Sequence, residues 1–291
     1  MEDLGLRRIA VLGATSSIFK ALLADKSFVN EDDYFDLFSR HETPETVIEV
    51  KAQIFTHPLS EFAASQVEFD EIFNFIGTGN PQISNIDLGR LQKASIYWDS
   101  TALKMLENEQ AKKYFSMSSG IADEIYDSGA ANPYRDLKVE IEKRHGDADL
   151  PICDIRIFGF ADARGRFFPG SLVGDIRHAI SSRKPLVTDS SDPLRDYCGA
   201  KEMASLLSAL RTNDVFRGIS ELHSLAPVRK MELLDLLGQL GLLSVSRSAE
   251  VLITSTGPKP EYAPRNIENV IGYKPERKSI EVVCSALGVV L

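Results

Sequence analysis

Short apolar runs alternate with amphipathic stretches along the chain, the pattern of βαβ units whose parallel sheet is covered on both faces. Arg8-Ile9-Ala10-Val11-Leu12 reads as a buried strand, residues 13–17 as a turn and 18–25 as the start of a helix. Further strands are expected at 34–38, 47–55, 71–76, 113–118 and 154–160, with a long helix over 86–108. Residues 133–144 predict a capped amphipathic helix, with Asn132 as N-cap and Pro133 at the first helical position, where its missing N–H costs nothing. Beyond residue 160 the pattern loosens. Gly165, Gly170 and Gly174 interrupt it, 181–192 reads as loop, and 199–212 and 228–240 read as helices. The expectation is an α/β protein with a Rossmann-type, doubly wound parallel sheet over 1–160 that binds a dinucleotide. A smaller, interleaved C-terminal α/β part over 161–291 is expected to bind substrate.

Composition narrows the class without changing that picture. The 291 residues are 43% hydrophobic and 26% charged, which excludes coiled coil, collagen and wholesale disorder. A net charge of −9 with no basic cluster argues against nucleic acid or an anionic membrane as partner. Arg7-Arg8 is followed by too short an apolar run for a signal peptide, and no stretch is long and apolar enough to span a membrane. Cys153, Cys198 and Cys284 are odd in number and far apart, so neither a disulfide framework nor a zinc knuckle is expected, and a reducing, cytoplasmic setting is. The five histidines are scattered without ligand spacing, so no metal is expected. No G-x-S-x-G elbow suggests a hydrolase.

A strand, a glycine and a helix start make an anion site, because first-turn N–H groups point outward and the helix dipole favours negative charge. Gly13, Thr15, Ser16, Ser17 and Ile18 occupy that context. The second strand runs into Ser39-Arg40, where an acidic residue would bond the ribose of NAD and a cation suits the 2′-phosphate of NADP; Arg40 tilts the expectation to NADP. A solvated loop arginine is the plain alternative.

Reduction of a ketone by hydride needs a proton donor at the carbonyl oxygen, and a tyrosine serves near neutral pH only where a cation favours its phenolate. Tyrosine and lysine four apart share one helix face. Tyr134 and Lys138 have that spacing, with Ser119 at a preceding strand end to hold the oxygen. Tyr197 and Lys201 repeat the spacing, so spacing alone cannot choose. Tyr134 opens a helix lying between the Ser119 strand and the next one, which favours it.

These residues together resemble the extended short-chain dehydrogenase/reductase family, in its NAD-dependent epimerase/dehydratase branch acting on nucleotide sugars. The resemblance rests on the glycine turn, Phe73-Asn74-Phe75-Ile76-Gly77, Ser118-Ser119, Tyr134 with Lys138, and Asp154-Ile155-Arg156-Ile157-Phe158. It continues through Pro185-Leu186-Val187 and Leu194-Arg195-Asp196-Tyr197, similar to the family's R-D-[YF]. It ends at Ile271-Gly272-Tyr273-Lys274-Pro275, similar to its L-G-[WY]-x-P. It spans nearly the whole chain. It implies a cytoplasmic NADP-linked enzyme, with NAD admissible, that reduces or epimerises a keto-sugar on a nucleoside diphosphate, and it admits a homodimer. Ser119, Tyr134 and Lys138 would be catalytic, Gly77 and Thr78 would join the cofactor turn, and Arg195 would contact the substrate phosphates.

The sequence also departs from the family pattern. Of its G-x-x-G-x-x-G turn only Gly13 survives; Ser16 and Phe19 replace the other two, and Phe19 predicts a displaced or re-angled helix. His57 stands where the family has an aspartate for adenine, Gly159 where it has an asparagine facing substrate, and the Y-G pair after the serines is missing. Gly120-Ile121 after Ser119, in place of an Asp-Glu pair, makes dehydration the least favoured reaction. The eroded turn leaves open a different class: a catalytically weak NADP-binding sensor or scaffold.

Overall fold

Runs such as Ile9-Ala10-Val11-Leu12 and Ile72-Phe73 are apolar on both sides of the strand, and every one of these side chains is fully buried. A strand of that kind must be covered on both faces, which is the situation of a parallel sheet between helices. The computed structural model describes residues 7–25, 27–40, 52–77, 87–126, 132–165, 167, 170–213, 217–248, 261–265 and 272–291. The first half of the chain gives β1 (Arg7–Leu12), α1 (Ser17–Leu23), β2 (Asp33–Ser39), β3 (Gln53–Pro58), α2 (Leu59–Phe62), β4 (Phe69–Asn74), α3 (Leu88–Glu107), β5 (Ala111–Ser119), α4 (Pro133–Asp147) and β6 (Ile152–Ile157). Then follow α5 (Leu172–Ser182), β7 (Leu186–Thr188), β8 (Leu194–Arg195), α6 (Ala200–Arg211), β9 (Gly218–Leu222), β10 (Val228–Arg229), α7 (Lys230–Gln239), β11 (Val245–Arg247), β12 (Glu261–Tyr262) and α8 (Ser279–Ala286).

Seven strands form one sheet in the order β3-β2-β1-β4-β5-β6-β9, every pair parallel. The expected doubly wound α/β architecture is therefore present. Its last strand, β9, comes from beyond residue 160. Period-two alternation sorts the strand side chains to two cores. Ile9, Val11, Phe73 and Phe75 pack with Phe19 and Leu22 of α1 and Met203 and Leu207 of α6. Ala10, Leu12, Phe69 and Ile72 pack with Phe62 of α2 and Ala102 and Met105 of α3. A third core joins α5, α7 and α8 through Ile176, Leu233, Leu237, Val282 and Val283.

The predicted cap is in place: Asn132 accepts the Arg135 N–H at 3.1 Å with Pro133 at the first helical position. The start of α3 is capped too, by Asp87, which accepts from Gly89 and Arg90. Several elements differ from expectation. Gly174 does not break the chain; it lies buried inside α5, which Ser171 caps by accepting the Gly174 N–H. Part of the expected 181–192 loop is β7, paired in parallel with β11. The expected helix from 228 opens as strand β10 before α7 begins. The third strand is β3, displaced toward the C-terminus; residues 47–51 of the expected span lie outside the described residues.

Phe19 fills the place where the family has glycine. Its ring is 1% exposed and lies 5.4 Å from that of Phe75, so it belongs to the core between α1 and the sheet. Phe19→Ala should cost about 3–5 kcal/mol, the usual range for an aromatic ring deleted from a packed interior. Urea unfolding checks this; a loss under about 1 kcal/mol would mean that the ring is not part of the core.

Candidate active site

The sheet order reverses between β1 and β4, and the C-terminal ends of these strands leave a crevice there. Gly13 follows β1 with φ +74°, and a Cβ on it would stand 3.0 Å from both Ile76 N and Phe75 C. Only glycine lets the turn lie this close to the end of β4. Ser16 is the N-cap of α1: its Oγ accepts the Phe19 N–H at 3.1 Å, which leaves the hydroxyl proton to donate. Thr15 is exposed, and Ser17 and Ile18 are half-buried. Ser39 is buried at the end of β2 and Arg40 is exposed just past it. Gly77 is exposed past β4; Thr78 lies outside the described residues. His57 does not face the crevice alone: its Nε2 bonds Asp36 at 2.8 Å and its ring stacks on Phe38.

Ser119, Tyr134 and Lys138 are brought together. Ser119 ends β5, buried, beside the half-buried Tyr134 phenol at the start of α4. Burial pushes that phenol above the usual tyrosine range, and the neighbouring Ser119 hydroxyl pulls it partly back. Lys138, one turn along α4, is 7% exposed, with its Nζ 5.9 Å from the Tyr134 ring centre. It donates to Met117 O at 2.8 Å, which uses one of its three N–H donors. Burial pulls the ammonium below the ordinary lysine range, against Asp154, Glu142 and Asp99, which favour the charge. A Cβ on Gly77 would come 3.7 Å from this Nζ, so the bare backbone at Gly77 keeps open the space in front of the lysine.

The second Tyr-x-x-x-Lys copy is not a site of this kind. Tyr197 precedes α6 instead of lying on it, and the exposed Lys201 pairs with Glu276 at 2.5 Å. Tyr197 also explains Gly159. A Cβ there would meet the Tyr197 ring at 2.8 Å and Asp196 O at 2.5 Å, so the place expected for a substrate-facing side chain is taken by this crossing segment.

Arg195 is buried at the centre of a small sheet, in register with Tyr262 on one side and Val228 on the other. Burial lowers its pKa, and the phenols it faces are Tyr197, Tyr262 and Tyr126. The nearby carboxylates in sequence have other partners: Asp192 accepts the Met231 N–H, and Asp196 accepts from Ser224 and Ser279. A cavity of about 280 Å³ is lined by Leu194 and Asp196, with His223, Glu261 and Arg265 on its wall. Strand alternation puts this cavity on the opposite face of β8 from the Arg195 side chain.

Tyr262 is the site residue that sequence reasoning missed. Its hydroxyl lies 3.2 Å from Ser119 Oγ, and its ring packs with Tyr126 and Phe158. Burial pushes its phenol well up, with Tyr134 close enough to add to the shift. No local signal marks it, since the two bonded residues are 143 positions apart.

Behind Lys138 the inner face of α4 is polar. Glu142 bonds Ser118 Oγ and Arg156. His145 lies between two buried carboxylates, Nδ1 2.9 Å from Asp154 and Nε2 2.8 Å from Asp99. Burial lowers the imidazole's pKa, but the bonds to Asp154 and Asp99 outweigh this and raise it from 6.5 to about 9.

No protein-family model and no curated protein matches the chain. Solved structures do match along its length. UDP-glucuronic acid 4-epimerase from Bacillus cereus, in complex with UDP-glucuronic acid and NAD, is similar at 14% identity and TM-score 0.75, over 97% of this chain and 98% of that one. UDP-glucose 4-epimerase from Bifidobacterium longum, with NAD+ and UDP, gives 16%, 0.74, 96% and 97%. UDP-N-acetylglucosamine 4-epimerase from Methanobrevibacter ruminantium M1 gives 14%, 0.76, 98% and 98%. The chain therefore has the fold of the extended short-chain dehydrogenases/reductases.

The His145 clamp makes stability depend on pH. A group whose pKa is raised on folding contributes fully below its unfolded pKa, near 6.5, and that contribution is lost as pH rises through the folded value, about 9. Stability should fall by on the order of 3 kcal/mol between these limits, and His145→Gln should flatten that part of the profile. Urea midpoints at pH 6, 7.5 and 9.5 check it. An unchanged slope in the variant would assign the loss to other groups.

Proposed function

We propose that the protein is an NAD(P)-dependent oxidoreductase or epimerase of the short-chain dehydrogenase type, acting on a nucleotide-linked keto-sugar, with ketone reduction as the favoured reaction. One observation carries this reading: Tyr134 and buried Lys138 lie one turn apart on α4 with the Lys138 Nζ 5.9 Å from the Tyr134 ring centre, and Ser119 stands beside the phenol at the end of β5. The residues fit a nicotinamide dinucleotide, because Lys138 keeps donors beyond its bond to Met117 and faces the bare backbone of Gly77. Gly13, Thr15, Ser16, Ser17 and Ile18 would take the pyrophosphate, and Ser39, Arg40, Gly77 and Thr78 would line the rest of the groove. Arg40, exposed past β2, supports NADP as the finer choice over NAD. When bound, the nicotinamide supplies hydride exchange at the sugar carbon.

The chain's own residues do the remaining work. Ser119 Oγ positions the reacting oxygen, and Tyr134 OH gives or takes its proton. Lys138 places a positive charge beside that phenol, which eases proton loss from a group whose burial opposes it. Arg195 would hold the diphosphate through its planar fork. Cys153, Cys198 and Cys284 are free and buried, which supports a reducing, cytoplasmic setting. Among the described residues no helix is long and apolar enough to cross a membrane.

Tyr134→Phe keeps the ring and removes only the proton donor. Turnover of UDP-glucose or UDP-glucuronic acid, whichever is accepted, should drop about 10²-fold or more while dinucleotide affinity stays the same. Tyr197→Phe should be much milder. A reversal of the two effects would remove Tyr134 from its role.

A second reading, an NAD(P)-binding sensor or scaffold, is favoured by the Tyr262 hydroxyl, which stands at Ser119 where a substrate oxygen would sit. Nucleoside diphosphates separate the two. Calorimetry on the dinucleotide-loaded protein with UDP, CDP, GDP and dTDP should show binding of at least one, abolished by Arg195→Ala, if Arg195 grips a diphosphate. Failure of all four at about millimolar concentration, with the dinucleotide still bound, would favour the sensor.

A further inference from the structure

Lys138 is buried against a hydrogen-bonded chain that neither the spacing argument nor the proposed chemistry uses. The chain starts at the crevice. Asn74, at the end of β4, accepts the Ile76 N–H at 3.0 Å, which fixes the turn leading to Gly77, and donates to Tyr114 OH at 2.8 Å. Tyr114 donates to Asp99 of α3 at 2.9 Å, Asp99 meets His145 at 2.8 Å, and His145 meets both oxygens of Asp154 at 2.9 Å. Asn74, Tyr114, Asp99, His145 and Asp154 are all under one tenth exposed. Among the described residues Arg144, with its guanidinium 3.1 Å from Asp99 Oδ2 and about a third exposed, leads from this chain toward water.

A chain of buried charges costs much desolvation, so it needs a reason beyond packing. The groups that face Lys138 supply one. On α4 they are Tyr134 and Glu142, with His145 a further turn on. From β5 come the Met117 carbonyl, Ser118 and Ser119; from β6, Asp154 and Arg156; from α3, Asp99; from the end of β4, the bare Gly77. Glu142 is largely offset by its bidentate pairing with Arg156. Asp99 is shared between His145 and Arg144, whereas Asp154 is bonded by His145, and both carboxylates act on the lysine.

We infer that Asp99, His145 and Asp154 form a positioning clamp for Lys138. They fix two buried carboxylates behind its ammonium and, through Tyr114 and Asn74, lock them to the turn whose Gly77 faces the same Nζ. The clamp sets how much positive charge the lysine holds at working pH. Its functional meaning rests on Lys138 being the cation beside the Tyr134 phenol, but the coupling itself does not need a substrate to be seen.

The test reads Lys138 directly, by the pH titration of its ¹³Cε signal in lysine-labelled full-length protein, assigned by its loss in Lys138→Arg. Asp154→Asn should lower the Lys138 midpoint by about one pH unit or more, because an attractive charge is removed. His145→Gln should raise it, because a repulsive charge is removed. Opposite shifts are what a clamp predicts and what a merely structural role would not give. Equal shifts, or none, would overturn it. The wild type needs no variant: its Lys138 signal should show a second inflection at about 9, where the imidazole ¹⁵N signals of His145 report loss of its proton. A single-step curve through that range would also overturn the clamp. If the shifts appear but Tyr134→Phe leaves turnover intact, the coupling stands and the enzymatic reading falls.

Discussion

A lysine that must stay charged where water hardly reaches it is the constraint around which this half of the molecule is arranged. Among the described residues Lys138 has one carbonyl partner and no contacting carboxylate, so its charge is sustained at a distance by Asp154, Glu142 and Asp99. That requirement explains a feature of α4 that hydrophobic packing alone would not produce. Under α2 and α3, one face of the sheet is built from Leu12, Phe69 and Ile72; farther along the same face, under α4, it becomes Ser116, Ser118, Asp154 and Arg156. Lys138, Glu142 and His145 are the helix's answer to that polar surface, and Leu137 and Ile141 keep enough apolar contact to hold it down.

The sheet was legible in the sequence because its signal is local. Buried parallel strands are short apolar runs, and a helix start such as Asn132-Pro133 announces itself within a few residues. Tyr134, Lys138 and Ser119 were legible for the same reason: helix pitch and strand ends bring them together without long-range information. Of the two Tyr-x-x-x-Lys copies, Tyr134 and Lys138 share a helix as the context predicts, whereas Tyr197 lies outside any helix. What was hidden is non-local. Tyr262 reaches Ser119 from the far end of the chain, and His145 looks like any helix-end histidine until Asp99 and Asp154 arrive from two other elements. α5 was hidden differently: Gly174 is unfavourable for a helix by propensity, and burial overrides it.

The eroded glycine turn takes on another meaning once packing is considered. In a turn built on three glycines the third allows a helix to press close to the sheet. Here Phe19 occupies that place as a fully buried core residue with Phe75 beneath it, and Ser16 caps the helix that the turn begins. The substitutions are matched to each other and to β4, so they do not read as decay. Gly13, whose left-handed backbone touches the end of β4, is the one glycine this geometry could not replace.

The same reasoning applies on the substrate side, with a different outcome. Gly159 and Tyr197 are matched in volume, as are Gly120 and Phe158, since a Cβ on Gly120 would run into the Phe158 ring at 2.4 Å. Phe158 packs with Tyr126 and Tyr262, and the Tyr262 hydroxyl reaches Ser119. Cofactor-side departures thus conserve a groove, whereas substrate-side departures fill space with rings and bring a phenol to the reacting position. A ligand that displaces Tyr262 must offer Ser119 at least as good a hydrogen bond and must present an apolar surface to Tyr126 and Phe158. A pyranose ring meets both demands, with hydroxyls at its edge and C–H groups on its face. The physical question at this site is therefore what moves Tyr262, and β12, which carries it, is held to Arg195 by strand pairing. A ligand held at Arg195, as proposed, would therefore act on the strand neighbouring the one that brings Tyr262 to Ser119.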